Sequence, residues 1–570
     1  MITVQPLVRT FLPKDLAVKT WADIKPYADN ILARHPMTHE EFHKWLDDRN
    51  EIVTVLSEQY EARYNRMACN TASEEYKKDF NDYLDLIDPE SQKFNNDFQK
   101  KLLATPLAEG FDEPGYTVWL RALKSDAALF RDVNVPLSTE AAKLGKEYGE
   151  IRAAMTILLD GEEMTLQKAA DRNFWTDRAK REEAWRAAAE RRYKDADATD
   201  RIFDSLVALR HKMALNADHA NFRDYAFQSL NRFDYGPKEC FEFHDSIATH
   251  IVPLVEKEHI KRKAALGLDV LRPWDGAVDV KGRPPLKAFE TPEELMSRSC
   301  AALDAVDRDF GDTLRLMDKA GRIDLFTRPN KQPGGYMMGM AETRIPFIFA
   351  NATHKVRDMV TLIHEVGHAV HGVLSDFIRR TDYRAVPSEG AELASMSMEL
   401  LTMDAWHHFF PKEEDCRRAK YEHLESIIGF FPWMARVDAF QHEVYLNPAL
   451  TPQQRRELWA KLHMRFTTNV VDWSGLEQHR DTGWHNQLHI FELPFYYIEY
   501  GIAQLGALQV WRNYKQDKKQ AVAQYKAALA LGYTKTLPEI YEAARIKFDF
   551  SSVTLRELVA FVECEMKGLE

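Results

Sequence analysis

The segment from Met359 to Ser375 is the feature of the sequence that most constrains the fold. Every position in it is apolar or small except four. A helix that is apolar nearly all round is buried on every side, so the chain has to supply a large core around it. Four ionisable groups buried in one helix are costly unless they pair with each other or bind a metal ion. The four ionisable residues are His364, Glu365, His368 and His371.

His364 and His368 frame a His-Glu-Val-Gly-His motif. Residues four apart share one face of a helix, so the two imidazoles can bind one zinc ion. Glu365 lies beside that face, within reach of a water molecule at the metal. Gly367 costs the helix about 1 kcal/mol relative to alanine, which indicates close approach by another element. The alternative is a hydrogen-bonded cluster of core histidines.

A second helix further along the chain is expected to supply the third ligand. The metzincin pattern is excluded, because its glycine and histidine positions are here His371 and Leu374. Glu392 and Glu399 are seven residues apart and share a face. We predict that Glu392 binds the metal and that Glu399, like His371, holds a ligating histidine in place. Glu389, in the first turn, remains an alternative ligand.

Two other patterns in the sequence resemble metal motifs. A second His-Glu-x-x-His motif spans His39–His43. Thr38 and Glu41 form a capping box there, which predicts the exposed first turn of a helix. Glu365–His368 is also a Glu-x-x-His pair, as used in di-iron bundles, which need a second such pair on another helix. Glu40–His43 and Glu256–His259 match this second pair formally. Both lie in strongly charged, surface-like segments, which disfavours di-iron chemistry.

Helical periodicity dominates the chain, as in Arg178–Lys212, and predicts a mainly α protein. The segment Ile151–Thr165 contains an Asp-Gly turn signal and predicts a short two-stranded element. Proline and glycine in Gly267–Pro292 predict a long ordered loop. A boundary between two lobes is predicted near residue 200.

A small β-sheet is predicted next to the motif helix, in the region of Gly334–Asn351. Pro346 lies in the strand-like run Arg344–Asn351 and predicts an edge strand, to which an extended peptide could add. The glycines of Gly334-Gly335-Tyr336 predict a flexible, substrate-binding loop over a cleft.

Composition excludes several classes of protein. Hydrophobic residues make up 45% and charged residues 29% of the chain, as in globular proteins. With 76 basic and 88 acidic residues, the net charge of −12 argues against a dedicated nucleic-acid or membrane binder. Met1–Val18 lacks the apolar core of a signal peptide, and no long apolar run predicts a membrane span. Five scattered cysteines without a Cys-x-x-Cys predict a reducing cytoplasm, with neither a disulfide framework nor a thiolate zinc site.

Three segments carry a resemblance to a known family. They are TLIHEVGHAVHG at Thr361–Gly372, GAELASMSMELL at Gly390–Leu401 and HIFELPFYYIEYG at His489–Gly501. NKQPGGYM at Asn330–Met337 and FIFAN at Phe347–Asn351 also fit. The chain thereby resembles the oligoendopeptidase F group of the thimet-oligopeptidase family of zinc metallopeptidases.

The resemblance implies a mainly helical, two-lobed clamshell with a central substrate channel. An N-terminal helical lobe would occupy residues 1–200 and the catalytic zinc metallopeptidase domain residues 201–570. The implied cofactor is one zinc ion per chain, and the implied substrates are short unstructured peptides, with no nucleic acid or membrane partner. The implied activity is cleavage of internal peptide bonds.

The resemblance also implies roles for particular residues. The implied metal ligands are His364, His368 and Glu392. Glu365 would act as general base on water. His489 and Tyr500, assisted by Tyr496 or Tyr497, would stabilise the oxyanion and hold the substrate.

Two alternatives remain at this point. A zinc carboxypeptidase or dipeptidyl carboxypeptidase on a related helical scaffold would need a cationic group for the substrate C-terminus, which the sequence does not locate. A non-catalytic peptide-binding or metal-binding protein belongs to a different class. The intact Glu365 argues against that class.

Overall fold

The computed structural model describes residues 4–570, and in them the chain is mainly helical, as predicted. The α-helices of this part of the chain, α1 to α24 in order, are Trp21–Ala33, His39–Cys69, Glu74–Leu86, Asp88–Ala104, Tyr116–Leu129, Val135–Ala153, Leu166–Ala170, Arg178–Lys194, Ala196–Asn216, Phe222–Ser229, Pro237–Ser246, Val252–Ala265, Pro292–Val306, Arg308–Lys319, Val356–Leu374, Ser388–Thr402, Glu413–Leu446, Pro452–Phe466, Glu477–Asp481, Leu488–Glu492, Tyr497–Gln516, Lys518–Ala530, Leu537–Ala543 and Ser552–Lys567. The strands β1 to β5 are Thr156–Leu159, Glu162–Thr165, Ile323–Phe326, Tyr336–Met338 and Phe347–Ala352.

The chain forms two compact units, and each is assembled from three separate stretches of sequence. Unit 1 comprises residues 4–127, Lys287–Cys416 and Ala503–Phe548. Unit 2 comprises Ala128–Leu286, Arg417–Ile502 and Asp549–Glu570. The predicted boundary near residue 200 is a single cut along the sequence, whereas each unit combines three stretches. The two predicted domains therefore stay a prediction.

Helix α2 of unit 1 begins at the second His-Glu-x-x-His motif. The Thr38 hydroxyl accepts a hydrogen bond from the Glu41 backbone N–H at 3.2 Å, which caps the first turn. The side chains of His39, Glu40 and His43 are exposed. The prediction that this motif is the exposed start of a helix is confirmed.

The small sheet of unit 1 has the order β3-β5-β4. Strand β5 runs parallel to β3 and antiparallel to β4, so β5 is the central strand and β4 lies at the edge. The prediction that Arg344–Asn351 forms an edge strand is therefore wrong. Pro346 precedes the strand, which begins at Phe347, so its missing N–H falls outside the ladder. Strands β4 and β5 both pack against α15, so the predicted position of the sheet beside the motif helix is confirmed.

Unit 2 contains the predicted two-stranded element. Strands β1 and β2 pair antiparallel through Asp160 and Gly161, whose φ values are +52° and +79°. Two successive positive φ values suit a tight hairpin turn. The predicted loop Gly267–Pro292 joins α12 to α13 and is ordered by buried carboxylates. The Asp275 side chain, for example, accepts hydrogen bonds from Arg178 at 2.8 Å and Arg181 at 2.9 Å.

None of the helices within residues 4–570 combines the length and the apolar character that crossing a membrane requires. Each of the five cysteines lies outside any disulfide bond in this structure. The predicted cytoplasmic location stays a prediction.

Candidate metal centre and active site

Helices α15 and α16 of unit 1 cross at very close range, and this contact builds the site. A Cβ atom on Gly367 would lie 2.5 Å from the Cα atom of Ser395 and 2.9 Å from the carbonyl oxygen of Ala394. Real Cβ atoms essentially never stand so close to backbone. Only glycine therefore allows the two helices to approach this far, as the mid-helix Gly367 predicts.

The close approach brings His364 and His368 of α15 next to Glu392 of α16. Glu392 Oε2 lies 3.2 Å from His364 Nε2 and 3.7 Å from His368 Nε2. One ligand atom from each of the three residues lies within 4.8 Å of the others. The alternative ligand Glu389 is buried but is not part of this group. The structure thus brings together the three predicted ligands and favours Glu392 over Glu389.

Glu399, one helical period beyond Glu392, contacts the opposite side of the His364 ring. Its Oε1 atom lies 2.6 Å from His364 Nδ1, which directs Nε2 towards Glu392. Burial alone would lower the pKa of His364, but hydrogen bonds to Glu392 and Glu399 outweigh it and raise that pKa well above its usual value. The carboxylates thus favour positive charge at this point, which a metal cation would supply.

His371 lies one turn beyond His368 on α15. Burial lowers its pKa to about 4, so its imidazole is neutral near pH 7. The structure places it beside the ligands, but its role in holding them stays a prediction.

Glu365 is buried beside the three ligand residues and faces strand β4. Its carboxylate accepts a hydrogen bond from the backbone N–H of Met337. Burial raises the pKa of Glu365 to about 7. A carboxyl group with that pKa can both accept and donate a proton near neutral pH.

The predicted substrate-binding segment Gly334–Tyr336 lies along α15. Gly334 has a φ of +109°, which favours glycine, and a Cβ atom on Gly335 would contact Thr361 at 3.5 Å. The Tyr336 ring stacks on Phe349, with centroids 5.0 Å apart, and its hydroxyl donates a hydrogen bond to Asn65 at 2.9 Å. The Tyr336 side chain is thus engaged inside unit 1, and the role of this segment in substrate binding stays a prediction.

The downstream residues predicted to assist catalysis form a second group, in unit 2. His489 belongs to the short helix α20, while Tyr497 and Tyr500 belong to α21. The centroid of the His489 ring lies 6.0, 4.9 and 5.8 Å from those of Tyr496, Tyr497 and Tyr500. The structure therefore gathers all four predicted side chains into one aromatic cluster.

Gln487 is a residue of this group that the sequence reasoning missed. Its side-chain oxygen accepts a hydrogen bond from Trp433 Nε1 at 2.8 Å, and its Nε2 atom donates to His489 Nδ1 at 2.7 Å. An indole N–H can only donate, so this chain fixes Nδ1 as the acceptor and places the ring proton on Nε2. Burial lowers the pKa of His489, which keeps the ring neutral. The available signal was the spacing Gln-x-His, which carries little information alone.

The di-iron alternative finds no support. Neither Glu40–His43 nor Glu256–His259 belongs to a cluster of metal-ligating side chains within the described part of the chain. His259 instead contacts the Thr468 hydroxyl at 3.0 Å through Nδ1.

Comparison with known proteins identifies the class to which this fold and site belong. The model of Peptidase family M3 matches residues 175–297 and 304–560, and that of the Peptidase M3 N-terminal domain matches residues 15–130. The chain belongs to peptidase family M3. This membership confirms the resemblance to the oligoendopeptidase F group and the prediction of a metallopeptidase, and it implies a metal cofactor.

Individual relatives agree with this assignment. The chain is 24% identical over 297 residues to an oligoendopeptidase F homolog of Borreliella burgdorferi, with 50% of this chain and 48% of the relative covered. It is 21% identical over 405 residues to oligopeptidase PepF of Bacillus subtilis, with 66% and 59% covered. The chain thus spans about half the length of these curated relatives.

A solved structure extends the likeness over the whole chain. It is described as PZ peptidase A with an inhibitor and is 26% identical to this chain. The TM-score is 0.87, and the match covers 96% of this chain and 97% of that one. The fold is therefore shared over nearly the full length.

Proposed function

We propose that this chain is a zinc-dependent oligoendopeptidase that hydrolyses internal bonds of short, unstructured peptides. The observation that carries the proposal is the convergence of His364, His368 and Glu392 to within 4.8 Å, with Glu365 buried beside them. In this proposal the three converging residues hold one zinc ion.

The donor set fits zinc. Two imidazole nitrogens and one carboxylate are typical ligands of a catalytic zinc ion, and they leave a fourth position for water or substrate. Glu399 hydrogen-bonds His364 Nδ1, as carboxylates commonly do behind a ligating histidine. When bound, a zinc ion polarises the scissile carbonyl and lowers the pKa of an adjacent water molecule.

Glu365 is the proposed general base. Its carboxylate takes a proton from the attacking water and passes it to the leaving amine. The pKa of about 7, raised by burial, suits a group that has to do both near neutral pH. The Met337 N–H orients the carboxylate, so strand β4 contributes to the positioning of the base.

We assign stabilisation of the oxyanion to His489 and Tyr500, assisted by Tyr496 or Tyr497, as the family resemblance implies. The protonated Nε2 of His489, maintained by Gln487, is a suitable donor for a developing negative charge. Tyrosine hydroxyls add donors of the same kind.

We assign binding of the substrate backbone to the edge of the small sheet in unit 1. Strand β4 is the edge strand beside α15, and an extended peptide can add to such an edge through main-chain hydrogen bonds. The glycines at 334 and 335 let another backbone approach closely.

The experiment that tests this function uses unstructured peptides of graded length. The zinc-loaded protein is incubated with each peptide, with and without a chelator, and the cut positions are read by mass spectrometry. Internal cuts that stop above a length limit and vanish with chelator are the expected result.

The same experiment separates the alternatives. Removal of residues from the C-terminus alone would identify a carboxypeptidase or, in steps of two residues, a dipeptidyl carboxypeptidase. No cleavage at any length, together with retained peptide or metal affinity, would identify a non-catalytic binding protein.

A further inference from the structure

A second cluster of metal-ligating side chains lies in the core of unit 2. Cys240 and His244 are four residues apart on α11, and Asp438 and His442 are four residues apart on α17. Each pair therefore shares one face of its helix. The side chains of all four are at most 1% exposed. The Cys240 thiol, a carboxylate oxygen of Asp438 and a ring nitrogen of His442 lie within 4.8 Å of one another.

Hydrogen bonds within the cluster leave several buried atoms without partners. His244 Nε2 lies 2.9 Å from Asp438 Oδ2, which is a hydrogen bond. His442 Nε2 lies 3.1 Å from the same Asp438 Oδ2 atom, whereas in the residues that the structure describes Asp438 Oδ1 and His442 Nδ1 have no hydrogen-bond partner. Unsatisfied polar atoms cost about 1–3 kcal/mol each in a protein interior, and charged ones cost more. This cluster therefore calls for a further partner.

We propose that Cys240, Asp438 and His442 bind a second zinc ion, and that His244 holds the Asp438 carboxylate in position. A thiolate and a carboxylate balance the two positive charges of the ion, so the loaded site is neutral and suits a buried position. The thiol proton is released on binding. A sulfur ligand selects zinc and similar ions over magnesium and calcium.

The spacing of the ligand atoms is compatible with this ion. Zinc lies about 2.0–2.3 Å from nitrogen, oxygen and sulfur ligands, which puts tetrahedral ligand atoms roughly 3.3–3.6 Å apart. The three atoms lie within 4.8 Å, so a contraction of about 1 Å closes the site. The hydrogen bond from His244 to Asp438 is the support that a ligating carboxylate usually has.

The surroundings point to a structural role. The rings of Phe241, Phe495 and Phe227 lie 4.8, 5.3 and 5.7 Å from that of His442, measured between centroids. These aromatic side chains shield the cluster from water. The ion therefore fastens α11 to α17 and takes no part in hydrolysis.

Cobalt substitution tests the proposal on the unaltered chain. The proposed catalytic ligands contain no sulfur, so a thiolate-to-cobalt charge-transfer band reports on a cysteine ligand and not on the catalytic site. The expected result is a second equivalent of bound cobalt together with that band. A single equivalent without the band would show that the cluster is only a buried hydrogen-bond network and would overturn the proposal.

Three variants assign the signal. His364→Ala combined with His368→Ala removes the first equivalent and leaves the band. Cys240→Ser removes the band, whereas Cys564→Ser, at an exposed cysteine of the same unit, leaves it. A band that survives Cys240→Ser would overturn the assignment. Because the unaltered chain is measured first, poor folding of Cys240→Ser leaves the test intact, and peptide cleavage is not its readout.

Discussion

The Cα atom of Ser395 lies 2.5 Å from the position that a Cβ atom on Gly367 would take. This one missing side chain sets the distance between α15 and α16. It thereby sets the distance from His364 and His368 to Glu392, because the ligands stand on those two helices. The proposed metal centre therefore depends on a residue that is not itself one of the proposed ligands.

We expect Gly367→Ala to push α16 away from α15. The backbone cannot yield as a flexible side chain would, so the unfolding free energy should fall by about 1–3 kcal/mol, with weaker zinc binding. Denaturant unfolding and metal titration measure both. Gly372→Ala is the matched control on the same helix, because its nearest contact is Pro346 at 3.9 Å. Equal behaviour of the two variants would contradict the argument.

Glu365→Gln keeps the volume of the side chain but removes its ability to accept a proton. We expect kcat to fall by about 10²–10⁴-fold or more while one zinc ion stays bound at the catalytic site. Glu40→Gln makes the same change in the exposed motif at the start of α2 and should leave kcat unchanged. Near-normal turnover in Glu365→Gln would exclude this residue as the base.

Gln487→Leu should free the His489 ring without removing its imidazole. Losing one oxyanion donor outright costs about 10²–10³-fold in kcat, so losing only its orientation should cost less, roughly tenfold. The change should appear in kcat more than in KM, because the donor acts on the transition state. Gln478→Leu is the control, since Gln478 is an exposed residue beside His479. A normal kcat in Gln487→Leu would separate Gln487 from catalysis.

Asp279 is expected to make the unfolding free energy of unit 2 depend on pH in the acidic range. Burial would raise its pKa, but hydrogen bonds from Arg283 and the charge of Arg418 outweigh burial and lower the pKa to about 2. A lowered pKa means that the stabilisation is complete above the unfolded value of about 3.9 and is lost as the pH falls towards 2. The unfolding free energies of the unaltered chain and Asp279→Asn should therefore differ most above pH 4 and converge below it. A difference that is constant with pH would contradict this account.

The convergence of the proposed metal ligands could be predicted because their geometry is local. Spacing within α15 fixes the common face of His364 and His368, and spacing within α16 pairs Glu392 with Glu399. The contrast between an apolar helix and a charged one also separates the buried motif from the copy at His39–His43. The helical class and the hairpin at residues 156–165 rest on equally local signals.

Other features depend on contacts between distant segments, which periodicity does not encode. Strand β5 is central because β3 and β4 flank it. The presence of Pro346 in the sequence does not reveal this strand order. Gln487 acquires its role only when Trp433 reaches it from another helix. The pairs Cys240–His244 and Asp438–His442 lie almost 200 residues apart, so spacing along the sequence does not show that the fold brings them together.

The division of each unit into three stretches has a consequence for biosynthesis. The proposed zinc ligands are synthesised within residues 364–392, but unit 1 needs residues up to Phe548 to be complete. At about 5–20 residues per second, the intervening chain takes roughly 10–30 s to make. During that time the nascent chain carries all three ligands without the unit that holds them. A translation product that stops before Ala503 keeps the metal motif but lacks the last stretch of unit 1. Such an incomplete chain is itself a substrate for chaperones and proteases.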